Sequence, residues 1–87
     1  MKLKKDFALR KFMGTWVVMA VGEETKNFHH MLKLNDTGVM LWNLLAEGTD
    51  RESLAAALVA EYGIDQATAL GDVDDFIESI RPIGCLE

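Results

Sequence analysis

The sequence predicts an α+β fold, a three-stranded antiparallel sheet followed by three helices. Two observations carry that expectation. Apolar residues recur with a period near two up to Leu34 and with a period of about 3.6 beyond it. Turn and cap signals then cut the two halves into six short elements joined by connections of two to five residues. With 87 residues and no repeat or linker, the chain reads as a single domain, 1–87, with its core at about 7–86.

Each element has its own signal. Residues 7–12 alternate in part, with Phe7, Leu9 and Phe12 taken as facing inward, and Met13-Gly14 supplies a turn. Residues 16–21 are apolar on both faces, as in a central strand, and the polar stretch 22–25 reads as a hairpin loop. Residues 26–34 form the third strand, with Phe28, His30, Leu32 and Leu34 on one face and Asn27, His29, Met31 and Lys33 on the other. Asn35 or Asp36 caps a first helix carrying Val39, Leu41, Trp42 and Leu45, which stops near Gly48. Thr49-Asp50-Arg51-Glu52 has capping-box form, with Thr49 at the cap, and opens a helix through Leu54, Leu58 and Val59 that ends at Tyr62-Gly63. Asp65 caps a third helix bearing Leu70, Val73, Phe76, Ile77 and Ile80, ended by Pro82 and Gly84.

Composition removes several function classes. The net charge of -5 opposes nucleic-acid binding, which is dominated by Lys and Arg. Five of the nine basic residues, Lys2, Lys4, Lys5, Arg10 and Lys11, fall in the first eleven positions and read as a solvated terminus. The single cysteine, Cys85, forms no internal disulfide and reads as a small apolar residue. No apolar run reaches the length of a membrane span or a signal peptide, so the expected location is the cytoplasm, with no membrane partner.

Catalytic chemistry is missing from the pattern. His29 and His30 are adjacent on a strand, so their imidazoles point to opposite faces and do not share a metal ion. The glycines fall singly, mostly at turns and helix ends, and none forms a phosphate loop. Asp72, Asp74, Asp75 and Glu78 sit on a helix whose other positions are apolar, which makes them a solvated face. The expectation is a protein with no cofactor, no metal and no activity of its own.

The stretch 32–42, Leu-Lys-Leu-Asn-Asp-Thr-Gly-Val-Met-Leu-Trp, resembles the PqqD family, small proteins first named from pyrroloquinoline quinone biosynthesis. Leu34-Asn35 at a strand end, Thr37-Gly38, Trp42, Thr49-Asp50, Asp72-Val73 and Phe76-Ile77 follow that family's order and spacing over about residues 7–86. The run His29-His30-Met31 departs from it, being bulkier and more polar than the family's aliphatic stretch. The resemblance implies a winged-helix-like RiPP recognition element, which binds the leader of a ribosomally made precursor peptide and presents its core to a modifying enzyme, often a radical S-adenosylmethionine protein. It implies that the leader adds a strand to the third strand and lies against the third helix.

An open edge strand independently suits that role, because its unpaired N–H and C=O groups invite β-augmentation. The expected peptide contacts are His29, His30, Met31, Leu32 and Lys33 on the strand, and Ala69, Asp72, Val73, Phe76, Ser79 and Ile80 on the helix, with Asp75 in its polar rim. The same edge could pair two copies into a homodimer. Two other readings stand beside this one. A winged helix that reads DNA needs a basic recognition helix, but residues 64–81 carry five carboxylates against Arg81 alone. A structural adaptor would use the edge strand to hold an enzyme without touching a peptide.

Overall fold

The computed structural model describes residues 1–22 and 31–87. The predicted loop at 23–25 and the first part of the predicted third strand, including His29 and His30, lie outside these residues. The described elements run β1 (Phe7–Phe12), β2 (Thr15–Ala20), β3 (Leu32–Leu34), α1 (Asp36–Glu47), α2 (Arg51–Tyr62) and α3 (Gln66–Ile80). A short 3-10 turn, Arg81–Ile83, follows with Pro82 inside it. The α+β order expected from the change of period is the observed one.

β1 and β2 are joined by only Met13 and Gly14, whose φ angles are 52° and 80°. Two consecutive positive φ angles match the right-handed twist of the flanking strands, which is why two-residue hairpins adopt them. The sheet order is β1-β2-β3, all antiparallel, and among the described residues β3 pairs on one side only. Register sorts the side chains into two faces. Leu9, Val18 and Leu32 stand opposite one another on the core face, and Arg10, Val17 and Lys33 on the outer face. Phe12, expected inward, pairs with Thr15 on the outer face and is 56% exposed. Strand parity decides this, since Phe12 is an odd number of residues from Phe7 and Leu9. Met31 precedes β3 instead of lying in it.

Asn35 caps α1, its side chain accepting the Gly38 N–H at 2.8 Å. Asp50, not Thr49, caps α2 by accepting from Ser53 N–H at 2.7 Å, and Asp65 caps α3 by accepting from Thr68 N–H at 2.7 Å. A carboxylate accepts such a bond more strongly than a hydroxyl, so the boundary sits one residue later than the Thr49 pattern suggested. These bonds hold the Asp50 and Asp65 carboxyls below their usual range.

The core joins Phe7 and Val18 of the sheet to Leu41, Trp42 and Leu45 of α1, Leu54, Ala55 and Leu58 of α2, and Ala69, Val73, Ile77 and Ile80 of α3. It also includes Leu3 and Cys85, because Leu3 bridges to Leu86 and Lys4 N–H donates to the Cys85 carbonyl at 2.8 Å. The core therefore begins ahead of residue 7. Part of the basic N-terminal stretch is a paired segment, built by a long-range bridge that leaves no periodic trace in sequence. Among the described residues, no helix is long and apolar enough to cross a membrane.

Candidate functional site

A groove of about 420 Å³ lies between the end of β3, the first turns of α1 and the outer side of α3. Lys33, Leu34 and Asn35 border it on the strand side, and Asp72, Asp75, Phe76 and Ser79 on the α3 side. Thr37, Gly38 and Leu41 of α1 complete its lining. The groove therefore runs beside the one edge of the sheet where β3 has no described partner strand.

Local sequence explains the third wall. Asn35 ends the strand and caps α1, so the chain turns sharply from sheet into helix. Gly38 then allows Leu34 to settle on α1: a Cβ there would stand 3.3 Å from Leu34 Cβ, Leu34 Cδ2 and Asn35 Oδ1. Such contacts are tighter than side chains ordinarily make, so a larger residue would require Leu34 and Asn35 to shift by a few tenths of an ångström. Thr37 Oγ1 donates to the Tyr62 hydroxyl at 3.2 Å, tying this turn to the end of α2.

The carboxylate run on α3 divides into two jobs. Asp74 faces α2, where the Arg51 guanidinium donates to both its oxygens at 2.6 and 2.8 Å. That fork holds the Asp74 carboxyl below its usual range. Asp72 and Asp75 instead border the groove and have no ion-pair partner among the described residues. Ser79 lies on the same side, its hydroxyl donating to the Phe76 carbonyl at 2.6 Å. The groove thus combines apolar Leu34, Leu41 and Phe76 with Asp72 and Asp75 on its α3 side and Lys33 on its strand side.

Of the residues expected to contact a peptide, the structure brings together Lys33, Asp72, Phe76 and Ser79 at the groove. Leu32 is half-buried on the core face of β3, and Met31 is exposed beside the outer face. Ala69, Val73 and Ile80 are each 0% exposed and belong to the core. Val73 and Ile80 each sit one position along from a groove residue, Asp72 and Ser79, and one position on a helix is a turn of about 100°. His29 and His30 lie outside the described residues. Sequence reading missed the contribution of Thr37, Gly38 and Leu41. A glycine inside the first turn of a helix, where it costs propensity, was the available signal.

Nucleophilic and metal chemistry find little support in this geometry. Cys85 is buried, its thiol donates toward the Ile80 carbonyl at 3.6 Å, and burial pushes its pKa up to about 11. It is therefore protonated at neutral pH and is a poor nucleophile. Among the described residues, no three His, Cys, Asp or Glu side chains converge on a metal position.

The family model for coenzyme PQQ synthesis protein D (PqqD) matches residues 15–85. The chain belongs to the PqqD family. The match spans β2 to the segment after α3, and so includes every described wall of the groove. Two solved structures share the fold of this PqqD-family chain. TbiB1, solved in complex with the TbiA(beta) leader peptide, is 25% identical, with a TM-score of 0.79 over 100% of this chain and 95% of its own. A lasso peptide synthetase B1, complexed with the leader peptide, is 20% identical, with a TM-score of 0.75 over 97% of this chain and 93% of its own. No curated protein matches the sequence.

Proposed function

We propose that this chain is a recognition protein that binds the leader segment of a ribosomally made precursor peptide by strand addition along β3. The carrying observation is the groove itself, which sets apolar Leu34, Leu41 and Phe76 and the carboxylates of Asp72 and Asp75 beside a strand edge with no partner among the described residues. Backbone hydrogen bonds to β3 supply affinity without regard to sequence, and alternate leader side chains entering the groove supply register. TbiB1, solved with a leader peptide, supports this reading through its similarity over the full length of the chain. The protein contributes no catalytic group. Its work in the cytoplasm is to present the precursor to a peptide-modifying enzyme, of which a radical S-adenosylmethionine protein is one candidate.

Titration of the isotope-labelled chain with a leader peptide encoded beside it tests the proposal. Binding at micromolar affinity or tighter is expected, with amide shifts concentrated at Leu32–Leu34, the first turns of α1, and Asp72, Asp75, Phe76 and Ser79. Shifts confined to the α2 surface, or no binding by any neighbouring precursor, would sink it. The open edge also admits pairing of two copies, and added leader should then dissolve such a dimer, because both need the same backbone groups.

A further inference from the structure

The outer face of the sheet carries a second surface, which shares only Lys33 with the leader groove. Phe12, Met13, Thr15, Val17, Met31 and Lys33 border a depression of about 390 Å³ on that face. Phe12, Met13 and Met31 are 56%, 89% and 52% exposed, whereas Val17 at the base is 3% exposed without joining the core cluster. Three large apolar side chains around one depression form a patch of the kind that marks an interaction site.

Two further observations say what fits it. Arg10, Val17 and Lys33 stand opposite one another across the three strands, so a cation flanks the apolar base on either side. Lys11 points to the opposite face, its ammonium 5.8 Å from the Trp16 ring, and no carboxylate occurs anywhere in the three described strands. The sheet is thus cationic in a chain of net charge -5, and α3 alone carries four carboxylates. The second observation concerns Met13. It occupies a left-handed backbone position, φ 52°, where Asn, Asp or Gly is the ordinary choice. At 89% exposure its side chain gains almost nothing from packing within the fold. A residue that is unfavourable for its turn and unused by its core is explained by a contact outside the chain. Methionine suits that role, being flexible and polarizable.

We propose that this face docks a second protein whose surface presents apolar side chains ringed by carboxylates, and that this partner is the enzyme acting on the leader-bound precursor. The inference rests on the leader-binding reading, and geometry links the two. A leader strand added to β3 extends the sheet, and every second side chain of it then stands on this outer face, beside Met31 and Lys33. The groove reads one set of leader side chains, and the docked partner meets the other.

The test uses the full chain, its leader peptide and the purified peptide-modifying enzyme encoded beside it, with the two affinities measured separately by calorimetry. Met13→Asn should leave leader affinity unchanged and melting temperature unchanged or higher, while weakening enzyme binding about tenfold or more. Arg10→Glu should weaken enzyme binding and flatten its salt dependence. If the wild-type chain binds leader but both variants bind the enzyme as wild type does, or the enzyme does not bind at all, the docking surface is overturned and leader recognition stands. If the leader itself fails to bind, recognition falls first. Self-association abolished by Met13→Asn, or retained binding to random duplex DNA abolished by Arg10→Glu, would overturn the proposal in favour of a second copy or of nucleic acid.

Discussion

Two stripes on α3 differ by a single residue in sequence and by nearly everything in environment. Ala69, Val73, Ile77 and Ile80 run along one side and are buried against the sheet, α1 and α2. Asp72, Asp75, Phe76 and Ser79 run along the next and border the groove. Both stripes have helical spacing, but only the first is apolar throughout, and Phe76 is the one apolar residue of the second. The first keeps the helix in place, and the second is what that fixed helix displays. A helix that must anchor and recognise at once does so by rotation, about 100° per residue.

The comparison breaks most visibly if the anchoring stripe is shortened. Ile80→Ala removes a fully buried side chain and should cost about 2–5 kcal/mol of unfolding free energy, measured by urea denaturation. Leader affinity, measured where the variant is still folded, should stay close to that of wild type. A loss of affinity without loss of stability would mean that the two stripes are not separate.

Phe76→Ala gives the complementary result. Phe76 is half-buried, packed on the edge of the core and bordering the groove. Its truncation should weaken leader binding about tenfold or more, about 1.4 kcal/mol, as loss of an aromatic anchor does. The stability cost should be smaller than that of Ile80→Ala. Binding by calorimetry and unfolding by urea, made on the same preparation, check the ratio.

A smaller effect sharpens the buried side. The Cys85 thiol lies against the Ile80 carbonyl, and burial raises its pKa from 9.0 to about 11. The folded state therefore holds this proton more tightly than the unfolded state. The contribution is fully present below pH 9.0 and is lost as pH rises from there through about 11. Cys85→Ser should flatten that alkaline part of the stability profile. Alkylation of the wild-type thiol at pH 8 should proceed only at the rate of unfolding.

The fold was largely legible because its signals are local. A period of two gives way to one of 3.6 at Leu34, Asp65 caps its helix where the sequence placed it, and Asn35 is the one of the two candidates, Asn35 and Asp36, that caps α1. The place of β3 at an edge of the described sheet followed from counting strands. What was not legible depended on rotation or on distant contacts. Phe12 was placed inward and Val73 among the peptide contacts because apolar character does not say which neighbour will cover it. Gly38 looked like an ordinary turn residue until Leu34 was seen resting against it.

The sequence by itself determined the order of elements, the acidic character of the last helix and the likeness to the PqqD family, all properties of neighbouring residues. The tertiary structure alone decided which carboxylates border the groove and which is held by Arg51. It also decided that α1 supplies a wall, and that the chain from Leu3 onward belongs to the core. Those facts turn on how helices rotate and pack against one another and against a sheet, and burial is a property of the surroundings, not of the residue. Identity sets what each side chain can do, and packing sets what each is left facing.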